Sequence, residues 1–166
     1  FFVAGIVGEA MTRFVCFRSR SGVAEEQLKN SVHFGLFLQK INILKDQYKA
    51  ELEGRRFVFD RQEVLASLKN HVLRTWAYIS KIKNEDQDYR RFCAISFFLG
   101  LATLPLLELQ EPRDFEPKID RAAALELFQE IVQASSDWSS LELMYKDLTA
   151  QFEFEKTDEP VSLAEV

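Results

Sequence analysis

The stretch Gly35-Leu36-Phe37-Leu38-Gln39-Lys40-Ile41-Asn42-Ile43-Leu44-Lys45-Asp46 decides how the rest of the chain reads. It sits inside a longer helical pattern that runs from about residue 27 to residue 53, and Gly54 supplies the stop. Gln39, Asn42, Asp46 and Ala50 follow at intervals of three, four and four. A helix of 3.6 residues per turn brings such positions onto one face. Leu36 extends that row by a turn, and Ile43 flanks it with apolar surface.

Toward the N-terminus, residues 2–17 carry apolar side chains at Val3, Val7, Phe14 and Phe17, with the small residues Ala4, Gly5 and Gly8 between them. The pattern predicts a helix that packs closely on a neighbour. A polar connector with Gly22 follows over residues 18–26. On the other side, Asp60 with Glu63 has capping-box character and predicts a helix over residues 61–83. A further helix over residues 88–109 is expected to be kinked or shortened by Pro105. Beyond Pro112 and Pro117, Asp120 caps a helix to residue 133, and Asp137 caps another reaching residue 152. Residues 153–166 are Glu- and Asp-rich with little to bury, which predicts a flexible acidic tail. Every long segment favours a helical period, with no hairpin dipeptide and no solenoid repeat. The fold class is therefore all-α, a helical bundle, with residues 1–152 as one domain.

Composition narrows the function classes. The chain has 166 residues, 47% of them apolar, and its 15 Phe suit either a core or a pocket for an apolar ligand. Residues 1–91 hold 16 Lys and Arg against 11 Asp and Glu, whereas residues 92–166 hold 5 against 15. The basic half suits a phosphorylated ligand, but no dense basic block with interleaved aromatics supports a nucleic-acid partner. Cys16, Cys93, His33 and His71 have no paired spacing, which argues against a zinc site or a disulfide framework. No signal-peptide pattern is present, so a cytoplasmic setting is expected. The apolar run over residues 92–107 is broken by Ser96, Gly100, Thr103 and Pro105, and reads as a buried helix rather than a membrane span. The abrupt apolar start at Phe1 reads as an entry in mid-helix, the mark of a fragment or a cleavage product.

Asn42 and Asp46, an amide and a carboxylate one turn apart, can supply oxygen ligands to a hard cation such as Mg²⁺. The remaining positions would go to water and a substrate phosphate, which is the arrangement for metal-assisted ionisation of a diphosphate. Lys45, Lys49, Arg55 and Arg56 follow closely enough to neutralise phosphate charge. On spacing alone, the same residues read more simply as a solvated helix face.

The surrounding sequence changes that balance. The quoted stretch resembles the second aspartate-rich helix of squalene synthases, and Glu53-Gly54-Arg55-Arg56-Phe57 resembles the Gly-Arg segment that follows it. Phe2-Val3-Ala4-Gly5-Ile6-Val7-Gly8 is similar to that family's Tyr-Val-Ala-Gly-x-Val-Gly helix, and Phe92-Cys93-Ala94-Ile95 to its Phe-Cys-Ala-Ile-Pro segment. Together these span residues 1–110. The resemblance, to the squalene/phytoene synthase family, implies a bundle of the trans-isoprenyl diphosphate synthase type, incomplete at its N-terminus. It implies a transferase of isoprenoid biosynthesis that uses Mg²⁺ to join two farnesyl diphosphates head to head, with NADPH in members that reduce the product. It also implies a partner in the missing N-terminal half of the same protein, and leaves room for peripheral contact with a membrane. Carried over by position, Asn42 and Asp46 would be catalytic and face the metal-bound diphosphate. Gln39 would line the cavity, Lys45 and Arg55 would balance charge, and Val3, Val7, Leu38 and Phe92 would touch prenyl chains. The Gly-Leu-Phe-Leu-Gln-Lys run looks more like squalene synthases than phytoene synthases.

Three departures from that pattern bear on activity. The second carboxylate of the family's Asp-x-x-x-Asp motif falls at Ala50, and Glu51 is one position off the face. The family's Tyr is Phe2, and its Pro and Gln after Phe-Cys-Ala-Ile are Ser96 and Phe97. No Asp-x-x-x-Asp occurs in residues 1–166, so the isolated chain is expected to be inactive. The alternative reading is a non-catalytic relative whose apolar cavity binds a lipid or a partner protein. His33 lies about 120° around the helix from Gln39 and is expected to pack or face solvent. Cys93, in apolar surroundings, is expected to be inert, and the aromatic residues Trp76, Tyr78, Tyr89, Trp138 and Tyr145 to serve packing.

Overall fold

A computed structural model describes residues 2–55, 60–109, 117–150 and 152. The described residues form six α-helices and no strand. In chain order these are α1 (Phe2–Arg18), α2 (Glu25–Leu52), α3 (Arg61–Ser80), α4 (Gln87–Leu109), α5 (Arg121–Ala134) and α6 (Trp138–Thr149), with a 3₁₀ turn over Asn84–Asp86. The all-α expectation holds.

Helix starts follow local chemistry. The Asp60 carboxylate accepts the Gln62 N–H at 2.8 Å, Asp120 accepts from Ala122 at 3.0 Å, and Asp137 accepts from Ser139 and Ser140 at 3.2 and 3.1 Å. Each bond satisfies a backbone donor that has no partner within the first turn. Two helix ends differ from expectation. α3 stops at Ser80 rather than residue 83, because the Tyr78 carbonyl is taken by the Lys81 N–H at 3.2 Å and by Gln27 Nε2 of α2 at 3.0 Å. α4 is not shortened at Pro105: the helix continues to Leu109 around it. α6 ends at Thr149, short of the expected residue 152. The acidic tail, Pro112 and Arg56 lie outside the described residues, as does the Phe2 side chain.

α1 lies on α2 at close range. A methyl group added at Gly8 would drive into the Ser31 carbonyl oxygen, and one at Gly35 into that of Ala4. The pairing of Ala4 with Gly35 and of Gly8 with Ser31 makes the two helices antiparallel. α2 packs its opposite side on α3 and α4, where Phe37, Leu44, Leu68, Val72, Phe97, Phe98 and Leu101 are fully buried. The Phe37 and Phe97 rings meet at 5.2 Å, tilted by 54°. α5 and α6 close over α4 through buried Ile131 and Leu141, and Tyr145 of α6 stacks on Trp76 of α3 at 4.3 Å. By length and composition the Asn84–Glu108 segment could cross a membrane, but half of its most apolar stretch is buried inside the bundle. Cys93, Ala94, Phe97, Phe98, Leu101, Leu104 and Leu107 supply that buried face, as a packed helix requires.

Candidate functional site

The geometry of the α1–α2 contact fixes where the candidate residues lie. Gly35 faces α1, and at 100° per residue Asn42 and Asp46 fall within about 20° of its direction, with Gln39 at about 40°. The face of α2 that α1 covers around residues 31–35 therefore continues as Gln39, Asn42 and Asp46 beyond the α1 end that bears Ala4. Asn42 and Asp46 are open to solvent, Lys45 is half-buried and Arg55 is exposed. The Arg55 guanidinium bonds to Glu53, and its backbone N–H donates to the Ala50 carbonyl at 2.8 Å, in a turn that Gly54 enters at φ 72°. Gln39 is half-buried, and its Oε1 has no hydrogen-bond partner. Ala50 is 3% exposed, so the position of the absent carboxylate is packed rather than open.

The apolar candidates fall into two groups. Leu38 packs against the core. Val3 and Val7 are 71% and 53% exposed on α1, and Phe92 is 54% exposed on α4, where its ring stacks on Tyr89 at 6.3 Å. Val3 and Val7 point away from α2, about 140° and 100° round α1 from Gly8. Ile6, Phe14 and Phe17 extend that outer face, all of them exposed. The described residues thus bring Gln39, Asn42 and Asp46 together on α2 and Val3 with Val7 on α1, but do not enclose the two sets in one hollow.

Donor chemistry bears on Mg²⁺. Among the described residues no group of three or more His, Cys, Asp or Glu side chains is placed to hold a metal ion. Asp46 and the Asn42 amide fit the habit of Mg²⁺, which takes one or two protein oxygens and fills its octahedron with water and substrate phosphate. They are a partial set, and Ala50 adds nothing to it.

A polar cluster that sequence reasoning missed lies on the far side of α2. His33 Nδ1 and His71 Nδ1 are 2.8 Å apart, His71 Nε2 is 2.6 Å from Lys40 Nζ, and Lys40 also bonds to the Ser67 hydroxyl. Both histidines are 8% exposed and Lys40 is 6% exposed. Burial, with the positive charges of Arg74 and Lys40 nearby, lowers the His33 pKa to about 4. Burial, with Lys40 and His33 beside it, lowers that of His71 to about 2. Burial alone lowers Lys40 to about 8. The expectation that His33 packs holds, but its partner is 38 residues away and no local pattern announces it. Cys93 is fully buried and burial pushes its thiol up to about 12, which matches the inert reading.

Known proteins bear directly on the α1–α2 pair. A family model described as squalene/phytoene synthase matches residues 2–59, the segment that holds both helices. The squalene synthase of Mus musculus is 28% identical over 129 residues, covering 62% of this chain and 30% of the relative. Squalene synthase ERG9 of Saccharomyces cerevisiae is 30% identical over 134 residues, covering 64% of this chain and 29% of the relative. The squalene synthase of Homo sapiens is 27% identical over 129 residues, covering 62% and 30%. The chain thus spans under a third of the length of these relatives. No solved structure matches it significantly. The helix pair, its glycine-mediated contact and the Asn42–Asp46 row all lie inside the segment that is similar to the squalene/phytoene synthase family.

Proposed function

We propose that this chain supplies the diphosphate-binding rim and one apolar wall of a transferase that joins two farnesyl diphosphates head to head. The observation that carries this reading is the row of half-buried Gln39 and exposed Asn42 and Asp46 on the α1 side of α2, directly past the contact of Gly35 with α1. A prenyl diphosphate has a charged head and a long apolar tail. The rim offers oxygen ligands at Asn42 and Asp46 and positive charge at Lys45 and Arg55, while Val3, Val7 and Phe92 offer apolar surface to the tail. Mg²⁺ held at Asp46 and Asn42 would supply charge neutralisation for the departing diphosphate. Arg55, with its planar fork, would bind two phosphate oxygens at once. Gln39, whose Oε1 lacks a partner, would orient groups at the junction between head and tail. NADPH would enter only in a reductive second step, and the second wall would come from further polypeptide. Because α4 is committed to the core by its buried face, contact of this chain with a membrane would be peripheral.

The test is diphosphate release from farnesyl diphosphate in the presence of Mg²⁺, on the intact protein that contains this chain. Asp46→Ala should lower the rate at least about ten-fold, as loss of metal-site support does, and Ala50→Asp should preserve or raise it. Equal absence of release from the unaltered protein and from Asp46→Ala would remove the catalytic reading. The packed Ala50 specifically favours a second reading, a non-catalytic relative that uses the apolar wall to hold a lipid or partner protein. Saturable binding of farnesyl diphosphate without Mg²⁺-dependent release would select it.

A further inference from the structure

Residues of two connectors, 21–24 between α1 and α2 and 81–83 between α3 and α4, wall a cavity of about 160 Å³. Its apolar lining includes Val15, Val23 and Ile82. Glu26 and Lys81, both on its wall, form an ion pair at 2.8 Å that ties α2 to the second connector. The cavity lies beside Gln27, roughly 22 Å along α2 from Asn42 at 1.5 Å per residue. It is therefore separate from the diphosphate rim and does not rest on that reading.

The polar side of this cavity has a fixed hydrogen-bond direction. Thr12 Oγ1 donates its hydrogen to the Gly8 carbonyl at 2.9 Å. A hydroxyl has only one hydrogen, so in the 2.6 Å bond between Thr12 and Tyr78 the tyrosine must donate. By the same count, Tyr89 donates in its 2.7 Å bond to Tyr78. Every hydroxyl hydrogen in the row is used, and the end of the row, the Tyr89 oxygen, can only accept. It has two acceptor positions. Burial raises both phenols above their ordinary values, Tyr78 to about 12, so they stay neutral. Gln27 also lines the cavity, and with Nε2 bonded to the Tyr78 carbonyl its Oε1 is left without a partner. At the Tyr89 end the unused polar atoms, the Tyr89 oxygen and Gln27 Oε1, are acceptors.

We propose that this cavity binds a small uncharged alcohol or phenol whose hydroxyl donates to the Tyr89 oxygen and whose apolar body lies against Val15, Val23 and Ile82. The volume suits one six-membered ring, since an apolar cavity on the order of 150 Å³ holds benzene. An anion would meet acceptors rather than donors at the Tyr89 end. A cation would find the Glu26 carboxylate already engaged by Lys81.

Cys16 makes the site measurable, because it is on the cavity wall and half-exposed, whereas Cys93 is fully buried with a thiol raised by burial. The experiment follows the rate of Cys16 alkylation by N-ethylmaleimide in the intact protein, with Cys16→Ser as the blank. Phenol should slow alkylation saturably, and benzene, of the same size without a donor, should need about ten-fold higher concentration, the worth of one hydrogen bond. Tyr89→Phe should bring phenol down to the level of benzene. Val23→Trp, on a connector rather than in a helix, should fill the cavity and abolish protection by both. If phenol gives no saturable protection, the cavity holds only water and the proposal fails. It fails equally if benzene matches phenol in the unaltered protein, or if protection survives Tyr89→Phe or Val23→Trp unchanged.

Discussion

Lys40 is a buried ammonium with two polar partners and, among the described contacts, no carboxylate. With Lys40 protonated, it donates to His71 Nε2, which places the His71 proton on Nδ1 and makes His33 Nδ1 the acceptor. A further proton on either ring would set two cations side by side in a site that is largely buried. The stability consequence has a definite sign. His33 falls from 6.5 to about 4 on folding and His71 from 6.5 to about 2. The unfolded chain thus binds more protons below pH 6.5, and the folded state loses stability as pH falls through 6.5 toward 4. The loss between pH 7 and pH 4 should be on the order of 3 kcal/mol for each histidine, read as a falling urea midpoint. His33→Gln should flatten that slope, and an unchanged slope would show that the histidine pair is not its source. Lys40 is lowered from 10.5 to about 8, so stability should rise again from pH 8 toward 10.5. None of this was legible from His33 and His71 as letters. Two histidines 38 positions apart meet only because α2 and α3 fold back on each other.

At the level of elements, legibility followed the range of the interaction that sets each boundary. Asp60, Asp120 and Asp137 bond to N–H groups two or three residues on, and the sequence alone located all three helix starts. The end of α3 depends on Gln27, 51 residues from Tyr78, and the sequence placed it too late. The small residues of α1 announced a close packing, and Gly8 against Ser31 with Gly35 against Ala4 is that packing. Backbone on the opposing helix cannot move aside as a side chain can. Gly35→Ala should therefore destabilise the protein by about 1–3 kcal/mol, the cost of overpacking, measured by urea unfolding. Gly22→Ala, where a methyl would meet nothing within 4 Å, is the control and should be within about 0.5 kcal/mol of the unaltered protein. Asp137→Ala should cost about 1 kcal/mol through the lost cap. Comparable losses for the two glycine variants would mean that the helices are not in contact at Gly35.

For the molecule as a whole, the outer face of α1 is the feature that the other five helices leave unexplained. Val3, Ile6, Val7, Phe14 and Phe17 are each more than half exposed, and with Ala10 they form one continuous stripe opposite α2. The sequence carried this pattern but not its orientation. Val3 and Val7 read as prenyl-chain contacts only through family resemblance, while α1's choice of Gly5 and Gly8 for the buried side turned the larger residues outward. A stripe of this size on one helix is unlike the scattered apolar residues of ordinary surfaces. If it is one wall of a prenyl cavity, it contributes nothing to the stability of the bundle described, and polar substitutions there should separate binding from folding. Phe14→Ser with Val7→Ser should lower the fluorescence of 8-anilinonaphthalene-1-sulfonate bound to the 166-residue chain while leaving the urea midpoint within experimental error. In the intact protein the same pair should weaken farnesyl diphosphate binding at least about ten-fold, since each buried methylene contributes about 0.8 kcal/mol. A fall in the urea midpoint of the chain would instead make the stripe part of the core, and Val3 and Val7 would then be packing residues rather than a wall.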